Sequence, residues 1–394
     1  MIKITLFAQI TNILDKNIFK SLVSKYQSDK HNKGINSWTH LISMIFLQMS
    51  QSSSLREISN GLRSATGNLN HLGIKIAPSK STLSYINQHR SWDLFNDYYF
   101  ASYRALQDTC RGNQKTFKIK TKRIMLLDST LISLCLELFD WAKYKSTKGA
   151  IKLHTLLDYD TCLPAFVLMT DGKDNDGSIA HMIPLPKDSV VVADRGYQDF
   201  SLMNNWDSNE NNFVVRLKNT TKFDVLKEND VSRFIEDGVV SDEIVQLSAP
   251  NTYSKYPKRL RRVVVYDKVN NSYIELITNN FKWTALTISR LYKSRWQIEI
   301  FFKELKQHLK IKSFVGTSVN AVLIQIWTAL ITIMILRHLK SIAKYAWCLS
   351  NLISFLRINL FVKIELQLWL DKPFEEPVDD SVSVDQLCLF SKGV

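Results

Sequence analysis

The chain has 394 residues, of which 45% are hydrophobic and 22% are charged, with few glycines and prolines. This is the composition of a globular protein with a sizeable core, and it excludes an extensively disordered chain. The formal net charge of +14 favours a polyanionic partner such as nucleic acid. The five cysteines include no CxxC pair, which argues against a cysteine zinc site or a disulfide framework and fits a reduced cytosol.

Charge and hydrophobicity are unevenly distributed along the chain. Residues 1–115 carry 14 Lys and Arg against 6 Asp and Glu, so this basic end is a candidate DNA-contacting region. Residues 365–394 carry 7 acidic residues against 2 lysines, which indicates a solvated acidic tail. The N-terminus has only a short, interrupted apolar stretch, unlike a signal peptide. The apolar run 321–336 is short for a membrane span, so we expect a buried helix there.

Residues 1–115 are predicted to form a helical domain. Apolar residues from Trp38 to Met49 recur at spacings of three and four, the pattern of a helix with one buried face.

Capping signals predict two shorter helices in the same region. Ser54 with Glu57 three residues later forms a capping box, and Gly61 is expected to break the helix that follows. Ser79 or Ser81 is expected to cap the next helix. Two short capped helices joined by a polar, glycine-containing loop fit a helix-turn-helix-like DNA-binding unit, although most small helical domains share this pattern.

The hydrophobic period changes from residue 123 onwards. Short apolar runs such as RIMLLDSTL and SVVVAD predict strands, and the second is apolar enough for a central strand covered on both faces. Residues 219–280 are more polar with short alternating stretches, which predicts an antiparallel β insertion. A helical period returns at Leu286, so the predicted fold class is α/β with a helical region before it.

Three carboxylates stand out. Asp128 and Asp194 each end an apolar strand, where a charge is costly unless it is paired or metal-bound; a turn former or helix N-cap is the alternative. Glu299 shares one stripe of a helix with Tyr292, Arg295 and Lys306, at spacings of 3, 4 and 7 from the tyrosine onwards. The alternative for this stripe is a solvated face with a Glu–Arg ion pair.

Two Asp and one Glu supply the oxygen ligands that Mg²⁺ prefers. Two such ions about 4 Å apart activate water on one side of a phosphodiester and stabilise the leaving oxygen on the other. Neighbouring Arg, Lys and Tyr side chains would then hold phosphates.

The residues of the stripe are identical to a known signature. The run Tyr292-x2-Arg295-x3-Glu299-x6-Lys306 resembles, residue for residue, the YREK signature of bacterial insertion-sequence DDE transposases of the insertion-sequence-four type. Asp128 in LLDST and Asp194 in ADRGYQDF resemble the first and second catalytic aspartates of that family. The segments KGAIKLH, TDGKDND, SLREISNGL and KSTLSYINQHR are also similar, so the resemblance covers about residues 5–370.

The resemblance implies a domain organisation. It implies a ribonuclease-H-like core, a mixed sheet with flanking helices, in residues 116–218 and 281–345. An antiparallel β insertion would occupy residues 219–280, in agreement with the strand pattern. Residues 1–115 would form the N-terminal DNA-binding domain common in that group, and residues 346–394 a C-terminal helical segment with the acidic tail.

The resemblance also implies a chemistry. The family moves DNA by cut-and-paste transposition: nicking at the element end, a hairpin, hairpin opening and strand transfer. Asp128, Asp194 and Glu299 are the expected catalytic residues and ligands of two Mg²⁺ ions, with Mn²⁺ as an alternative. Four further side chains are expected to hold DNA phosphates: Tyr292, Arg295, Lys306 and Arg195.

Other DNA contacts are less sharply defined. Related enzymes stack an insertion-domain Trp on a flipped base, but residues 219–280 contain no Trp; Trp283 just beyond is one candidate, with Tyr253 and Tyr256 as others. His154 is expected to be structural. A basic cluster is a candidate for DNA backbone contact, the alternative being a solvated face: Lys258, Arg259, Arg261 and Arg262.

The leading hypothesis is therefore a DNA transposase of the bacterial cytoplasm, associated with the nucleoid and not with membranes. It is expected to bind the terminal inverted repeats of its own element and target DNA, as a homodimer. One alternative is a nuclease of the same fold that cuts without joining, which a strand-transfer assay would separate. Another is a DNA-binding relic or repressor with an inactive core, against which the intact Asp-Asp-Glu set argues.

Overall fold

A computed structural model describes residues 4–30, 32, 34–65, 67–110, 117, 119, 123–135, 138–139, 141, 143–145 and 148–375. The acidic tail expected after residue 375 lies outside this part of the chain.

The N-terminal region is helical, as the sequence predicts. Its helices are α1 (Leu6–Thr11), α2 (Lys16–Lys25), α3 (Ser37–Ser50), α4 (Leu55–Ser64), α5 (Lys80–His89) and α6 (Asp93–Cys110).

Two of the expected caps are present. Ser54 accepts a hydrogen bond from the Glu57 N–H at 3.2 Å, and Ser79 caps α5 by accepting from the Thr82 N–H at 3.1 Å. The Glu57 carboxylate returns to the N–H of Ser53 at 2.8 Å, one residue before the cap. These bonds satisfy amide groups that helix geometry leaves unpaired.

Two expectations for this region are wrong. Gly61 does not end α4 but lies within it. A Cβ at this position would be only 2.6 Å from the Phe46 ring of α3. The glycine therefore allows close packing of the two helices. The α4–α5 connection spans residues 65–79 with a 3₁₀ turn at Leu69–Leu72, too long for a helix-turn-helix with its turn of three or four residues.

Helix α3 is buried nearly all round rather than on one face. The additional cover comes from α12 (Val319–Ile342) and α13 (Leu349–Asn359), which pack against α3 together with α4. Contacts from distant sequence therefore bury positions that the local period predicts to be exposed.

The C-terminal helices close onto the N-terminus. The segment between α13 and α14 (Leu366–Asp371) accepts hydrogen bonds from the first helix, including Leu6 N–H to Val362 O at 2.9 Å. Gln9 joins the same segment, through Ile364 O at 2.6 Å and Leu366 N–H at 2.9 Å. The N-terminal helices and the C-terminal helices thus share one hydrophobic cluster.

A mixed sheet forms the centre of the chain. Its strands are β1 (Arg123–Leu134), β2 (Lys143–Lys145), β3 (Lys148–Asp158), β4 (Leu163–Asp171), β5 (Ser189–Ala193), β6 (Asn212–Arg216), β7 (Phe223–Glu228), β8 (Val239–Leu247), β9 (Leu260–Asp267) and β10 (Ser272–Thr278). The order is β2-β3-β1-β5-β6-β10-β9-β8-β7, with β4 also paired to β3. The β1–β5 and β5–β6 pairs are parallel and the others antiparallel.

The strands predicted as an insertion are antiparallel, as expected. However, β10 pairs with β6 in register Ile277 to Val215, so β7 to β10 extend the central sheet instead of forming a separate layer. Strands β7 to β10 are therefore continuous with the central sheet through backbone hydrogen bonds.

Helices cover both faces of the sheet. Helices α10 (Ala285–Ser294) and α11 (Trp296–His308), together with α12, lie on one face, while α8 (Phe200–Ser208) covers the other. Two short helices, α7 (Asp176–Ala180) and α9 (Pro250–Lys255), lie in the connections after β4 and β8. Between the helices of the two faces β5 is buried along its whole length, which confirms the prediction of a central strand.

Helix α12 contains the apolar run noted in the sequence. It is long and apolar enough to cross a membrane, but 83% of its most apolar window is buried inside the protein. This confirms the expected buried helix, and α12 packs as the core helix that contacts α3, α5 and α6.

We predict that Gly61→Val lowers the free energy of unfolding by about 2 kcal/mol, because the added methyl groups overpack the contact with Phe46. Thermal or denaturant unfolding measures the effect. Asn60→Ala, at an exposed position of the same helix, is the control. Equal stability of the two variants would show that the α3–α4 contact tolerates a larger residue.

Candidate active site

Asp128 and Asp194 lie side by side on neighbouring parallel strands. The pairing of β1 with β5 ends at Leu127 opposite Ala193, and each aspartate is the next residue. Asp194 follows β5, as predicted. Asp128 does not end its strand: β1 continues to Leu134 because β3 pairs with it there.

Glu299 lies on α11, which packs on β1. The single long helix expected around the signature is interrupted at Arg295, between α10 and α11. Two hydrogen bonds of three-residue spacing tighten this junction: Arg295 N–H to Tyr292 O and Ile298 N–H to Arg295 O, both 3.0 Å. The signature side chains still face the sheet.

The signature residues contact the carboxylates directly. The Tyr292 hydroxyl donates to Asp194 Oδ1 at 3.1 Å. The Arg295 guanidinium donates to Asp128 Oδ2 at 3.3 Å and to Glu299 Oε1 at 2.6 Å. The site therefore joins two strands and a helix through charge-assisted hydrogen bonds.

Lys306, on α11, contacts β1 just beyond Asp128. Its Nζ donates to Thr130 Oγ1 at 2.6 Å, two residues beyond Asp128 on the same face of β1. Burial, together with nearby Lys312, lowers the pKa of Lys306.

Burial dominates the electrostatics of the aspartate on β1. It raises the pKa of Asp128 to about 6, against the lowering effects of the Ser129 N–H and Arg295, and Glu299 and Asp194 raise it further. The effects of Glu299 and Asp194 on Asp128 indicate that the three carboxylates are close together, because like charges destabilise an ionised group only at short distance. Burial also raises the pKa of Tyr292, with Asp194 adding to the effect.

The three carboxylates are chemically suitable ligands for a divalent cation, but their present arrangement does not form a cation site. Within the part of the chain that the structure describes, no three His, Cys, Asp or Glu side chains are grouped closely enough to hold a metal. Arg295 lies between Asp128 and Glu299, and its Nε is buried with no hydrogen-bond partner in the described ranges. Asp128, Asp194 and Glu299 would be the ligands once that guanidinium moves.

One residue at this edge was missed by the sequence reasoning. Arg216 ends β6, and the β5–β6 register places it beside Asp194. It is half-buried, and it is close enough to Tyr292 to affect that residue's pKa. The signal was present in NFVVR, an apolar strand that ends in a charge just as VVVAD does.

Arg195, the remaining expected phosphate contact, is exposed in the 3₁₀ turn Arg195–Tyr197 that follows Asp194. It lies next to the carboxylates and is free of ion pairs to other described residues. His154 is fully buried, with Nε2 3.0 Å from Thr170 Oγ1 and Nδ1 3.4 Å from Asp176 Oδ1. Burial lowers the pKa of His154, in keeping with a structural role.

The structure divides the basic cluster. Arg261 is buried and forms two hydrogen bonds to Asp242, at 2.8 and 2.7 Å, so it is a poor candidate for DNA contact. Arg262 is paired with Glu243 and Glu275. Both arginines instead cross-link the strands of the insertion.

The other two members of the cluster are exposed. Lys258 pairs with Asp207 at 2.6 Å, whereas Arg259 has no carboxylate partner among the described residues. They line a groove of about 580 Å³ with Asn279 and the exposed ring of Phe281. Asn279 follows β10 beside the start of β6, so this groove lies towards the opposite end of the strands from Asp194, roughly 10 Å along them.

The candidate stacking aromatics also differ in position. Trp283 is partly buried against the core, and its carbonyl accepts a hydrogen bond from Arg261 at 2.5 Å. Tyr256 is buried, while Tyr253 is exposed. Packing therefore accounts for Trp283 and Tyr256, and Tyr253 and Phe281 are the open rings.

Two family models match the chain. One, described as "Transposase DDE domain", matches residues 119–335, and the other, "Domain of unknown function (DUF4372)", matches residues 3–75. The first covers β1 to α12 and all three carboxylates.

Curated relatives agree with the first match. A Sinorhizobium fredii protein named as transposase y4zB is 35% identical over 54% of this chain and 60% of its own length. A Geobacillus stearothermophilus protein named as a transposase for insertion sequence element IS5377 is 30% identical over 60% of this chain and 62% of its own length. The chain therefore spans about three fifths of each of these relatives.

A third relative matches over a longer range. A Synechocystis protein named as a transposase for insertion sequence element IS4SA is 24% identical over 90% of this chain and 96% of its own length. The similarity thus extends across the N-terminal helices as well as the sheet.

We predict that Asp128→Asn stabilises the metal-free protein more at pH 8 than at pH 4.5, by about 2 kcal/mol. A carboxyl whose pKa is raised to about 6 on folding costs stability as the pH rises through that value, since the folded state must give up a proton that the unfolded state has already lost. The asparagine removes this cost. Unfolding of both proteins in EDTA across the pH range measures it. The exposed Asp224→Asn is the control, and a pH-independent difference would contradict the pKa.

Proposed function

The chain belongs to the DDE transposase domain family, and from this premise we propose that it catalyses cut-and-paste movement of an insertion sequence. The observation that carries the proposal is the convergence of Asp128, Asp194 and Glu299, from two adjacent parallel strands and the helix packed over them. The relatives named as insertion-sequence transposases support the same activity.

The core is proposed to be ribonuclease-H-like. The order β4-β3-β1-β5-β6 supports this: three antiparallel strands are followed by two that run parallel to β1, with helices on both faces. In such a sheet the end of the β1–β5 pairing places two carboxylates together, and α11 supplies the third.

Asp128, Asp194 and Glu299 would hold two divalent cations, Mg²⁺ or Mn²⁺. When bound, these cations supply activation of the attacking water and stabilisation of the leaving oxygen. Oxygen ligands on rigid elements suit this task, because the reacting phosphodiester has to be positioned closely.

The remaining signature residues are proposed to hold the DNA backbone. Arg295 supplies a planar guanidinium for bidentate phosphate contact, and Lys306 supplies a point charge beside Thr130. Arg195 and Arg216 border the same site and extend its positive surface. Tyr292 would orient Asp194 while its hydroxyl remains available to a phosphate oxygen.

The proposed DNA partners are the terminal inverted repeats of the element and the target duplex. The basic N-terminal region supports end binding, and α5 presents exposed polar and aromatic residues there, including Lys80, Tyr85 and His89. Cleavage through a hairpin and action as a homodimer on paired ends complete the proposal. Exposed Ile358 and Phe374 near the C-terminus are candidates for the dimer contact. Such a protein would work in the bacterial cytoplasm, at the nucleoid.

We predict that Glu299→Gln reduces end cleavage by more than about 100-fold while leaving DNA binding intact, because it removes a charged ligand without changing the side-chain shape. Labelled duplex carrying the flanking repeats, incubated with Mg²⁺ or EDTA, reports cleavage and joined products. The exposed Glu228→Gln is the control. Cleavage without joining by the wild type would favour a nuclease, and binding without cleavage would favour an inactive DNA-binding protein.

We predict that Arg259→Ala and Arg261→Ala affect different properties: the first DNA binding, the second stability. Arg259→Ala should weaken DNA binding and reduce the slope of log K against log salt concentration by about one. The stability should not change, because Arg259 is exposed. Arg261→Ala should lower the free energy of unfolding by roughly 3 kcal/mol, since it leaves the buried Asp242 unpaired. Fluorescence anisotropy at several salt concentrations and thermal unfolding test the pair. A loss of DNA affinity confined to Arg261→Ala would reverse the assignment.

A further inference from the structure

The signature arginine occupies the space that cations would need. Arg295 bridges Asp128 Oδ2 at 3.3 Å and Glu299 Oε1 at 2.6 Å, and its side chain is only 11% exposed. Asp128 Oδ1 already accepts the Ser129 N–H at 2.8 Å. Both oxygens of Asp128 are therefore engaged, and a cation shared by Asp128 and Glu299 cannot bind while the guanidinium stays between them.

The same guanidinium cannot at once hold a DNA phosphate and bridge the carboxylates. One donor of each terminal nitrogen is directed at Asp128 or Glu299, Nε is buried without a partner among the described residues, and the side chain is only 11% exposed. Its free donors are therefore not accessible to a DNA phosphate in this position. Arginine stays charged at any pH a protein tolerates, so a displaced Arg295 needs another anion. Leaving its charge unpaired in this half-buried position would be costly.

We propose that Arg295 is an internal counter-cation of the carboxylate site, which gives up its place to the divalent cations and moves to a DNA phosphate. This rests on the proposed function, because it assumes that the three carboxylates bind metal and that the substrate is DNA. Its consequence is positive coupling: metal binding frees Arg295 for DNA, and DNA binding clears the carboxylates for metal. By linkage the two effects have the same size.

The position of Arg295 suits such an exchange. It lies at the junction of α10 and α11, where its backbone bonds have three-residue spacing, and its guanidinium lies 5.7 Å from the Tyr292 ring centre. The ring provides a surface along which a planar cation can move without losing all of its contacts. Tyr292 and Lys306 flank it along the sheet, so a phosphate held by either is near the new position.

The test is isothermal titration of Mn²⁺ into the full-length protein, alone and with a short duplex of arbitrary sequence. Without DNA, Arg295→Gln should bind Mn²⁺ at least about 5-fold more tightly than wild type, and the duplex should strengthen Mn²⁺ binding by a similar factor in wild type only. Arg295→Lys, which retains the charge but can contact only one carboxylate, should fall between the two. Arg290→Gln, on an exposed arginine of α10, is the matched control. Circular dichroism establishes that each variant is folded.

The outcomes separate this inference from the proposed function. Equal or weaker Mn²⁺ binding by Arg295→Gln, or retention of the DNA effect in it, overturns the counter-cation role and leaves the metal site standing. Asp128→Asn should abolish Mn²⁺ binding with or without DNA. Mn²⁺ binding that survives in Asp128→Asn would instead place the metal elsewhere, and would overturn both proposals.

Discussion

The cost of burying carboxylates governs the arrangement at the edge of this sheet. Asp128, Asp194 and Glu299 come from three separate elements, and burial of Asp128 makes its ionised form costly. Tyr292 and Arg295 offset that cost by donating to all three carboxylates. The same contacts hold the α10–α11 junction against the sheet where the β1–β5 pairing ends, so the site also connects helix and sheet.

The side-chain amides of two buried glutamines hold the segment after α11 in place. Gln325 of α12 donates to Lys310 O at 2.6 Å and Ser313 O at 2.8 Å, and accepts from the Val315 N–H at 3.0 Å. Gln48 of α3 accepts from the Lys310 N–H at 2.7 Å. These bonds satisfy the backbone that follows α11, which would otherwise be buried without partners. The apolar core of α12 and the N-terminal helices thereby stabilise the helix that carries Glu299 and Lys306.

Local patterns in the sequence predicted much of this architecture. The strand-ending Asp194, the caps at Ser54 and Ser79, and the buried helix α12 follow from local rules, because strand burial, helix capping and hydrophobic length depend on near neighbours. The family signature then grouped Glu299 with the aspartates, which no local rule can do.

What the sequence did not predict depends on long-range contacts. Gly61 is read locally as a helix break, but its role is set by Phe46 on another helix. Arg261 and Arg259 are two residues apart and look equivalent in sequence, yet only the strand register buries the first against Asp242. Arg216 was missed because its position matters only once β5 and β6 are paired.

The central claim is that Asp128, Asp194 and Glu299 form one metal centre on DNA. The most direct measurement is the anomalous scattering of Mn²⁺ in crystals of the protein bound to a duplex end. Mn²⁺ peaks within coordinating distance of Asp128, Asp194 and Glu299 are the predicted result. Peaks away from these carboxylates, or a map with Arg295 still joined to Asp128 and Glu299 at saturating Mn²⁺, would contradict the account.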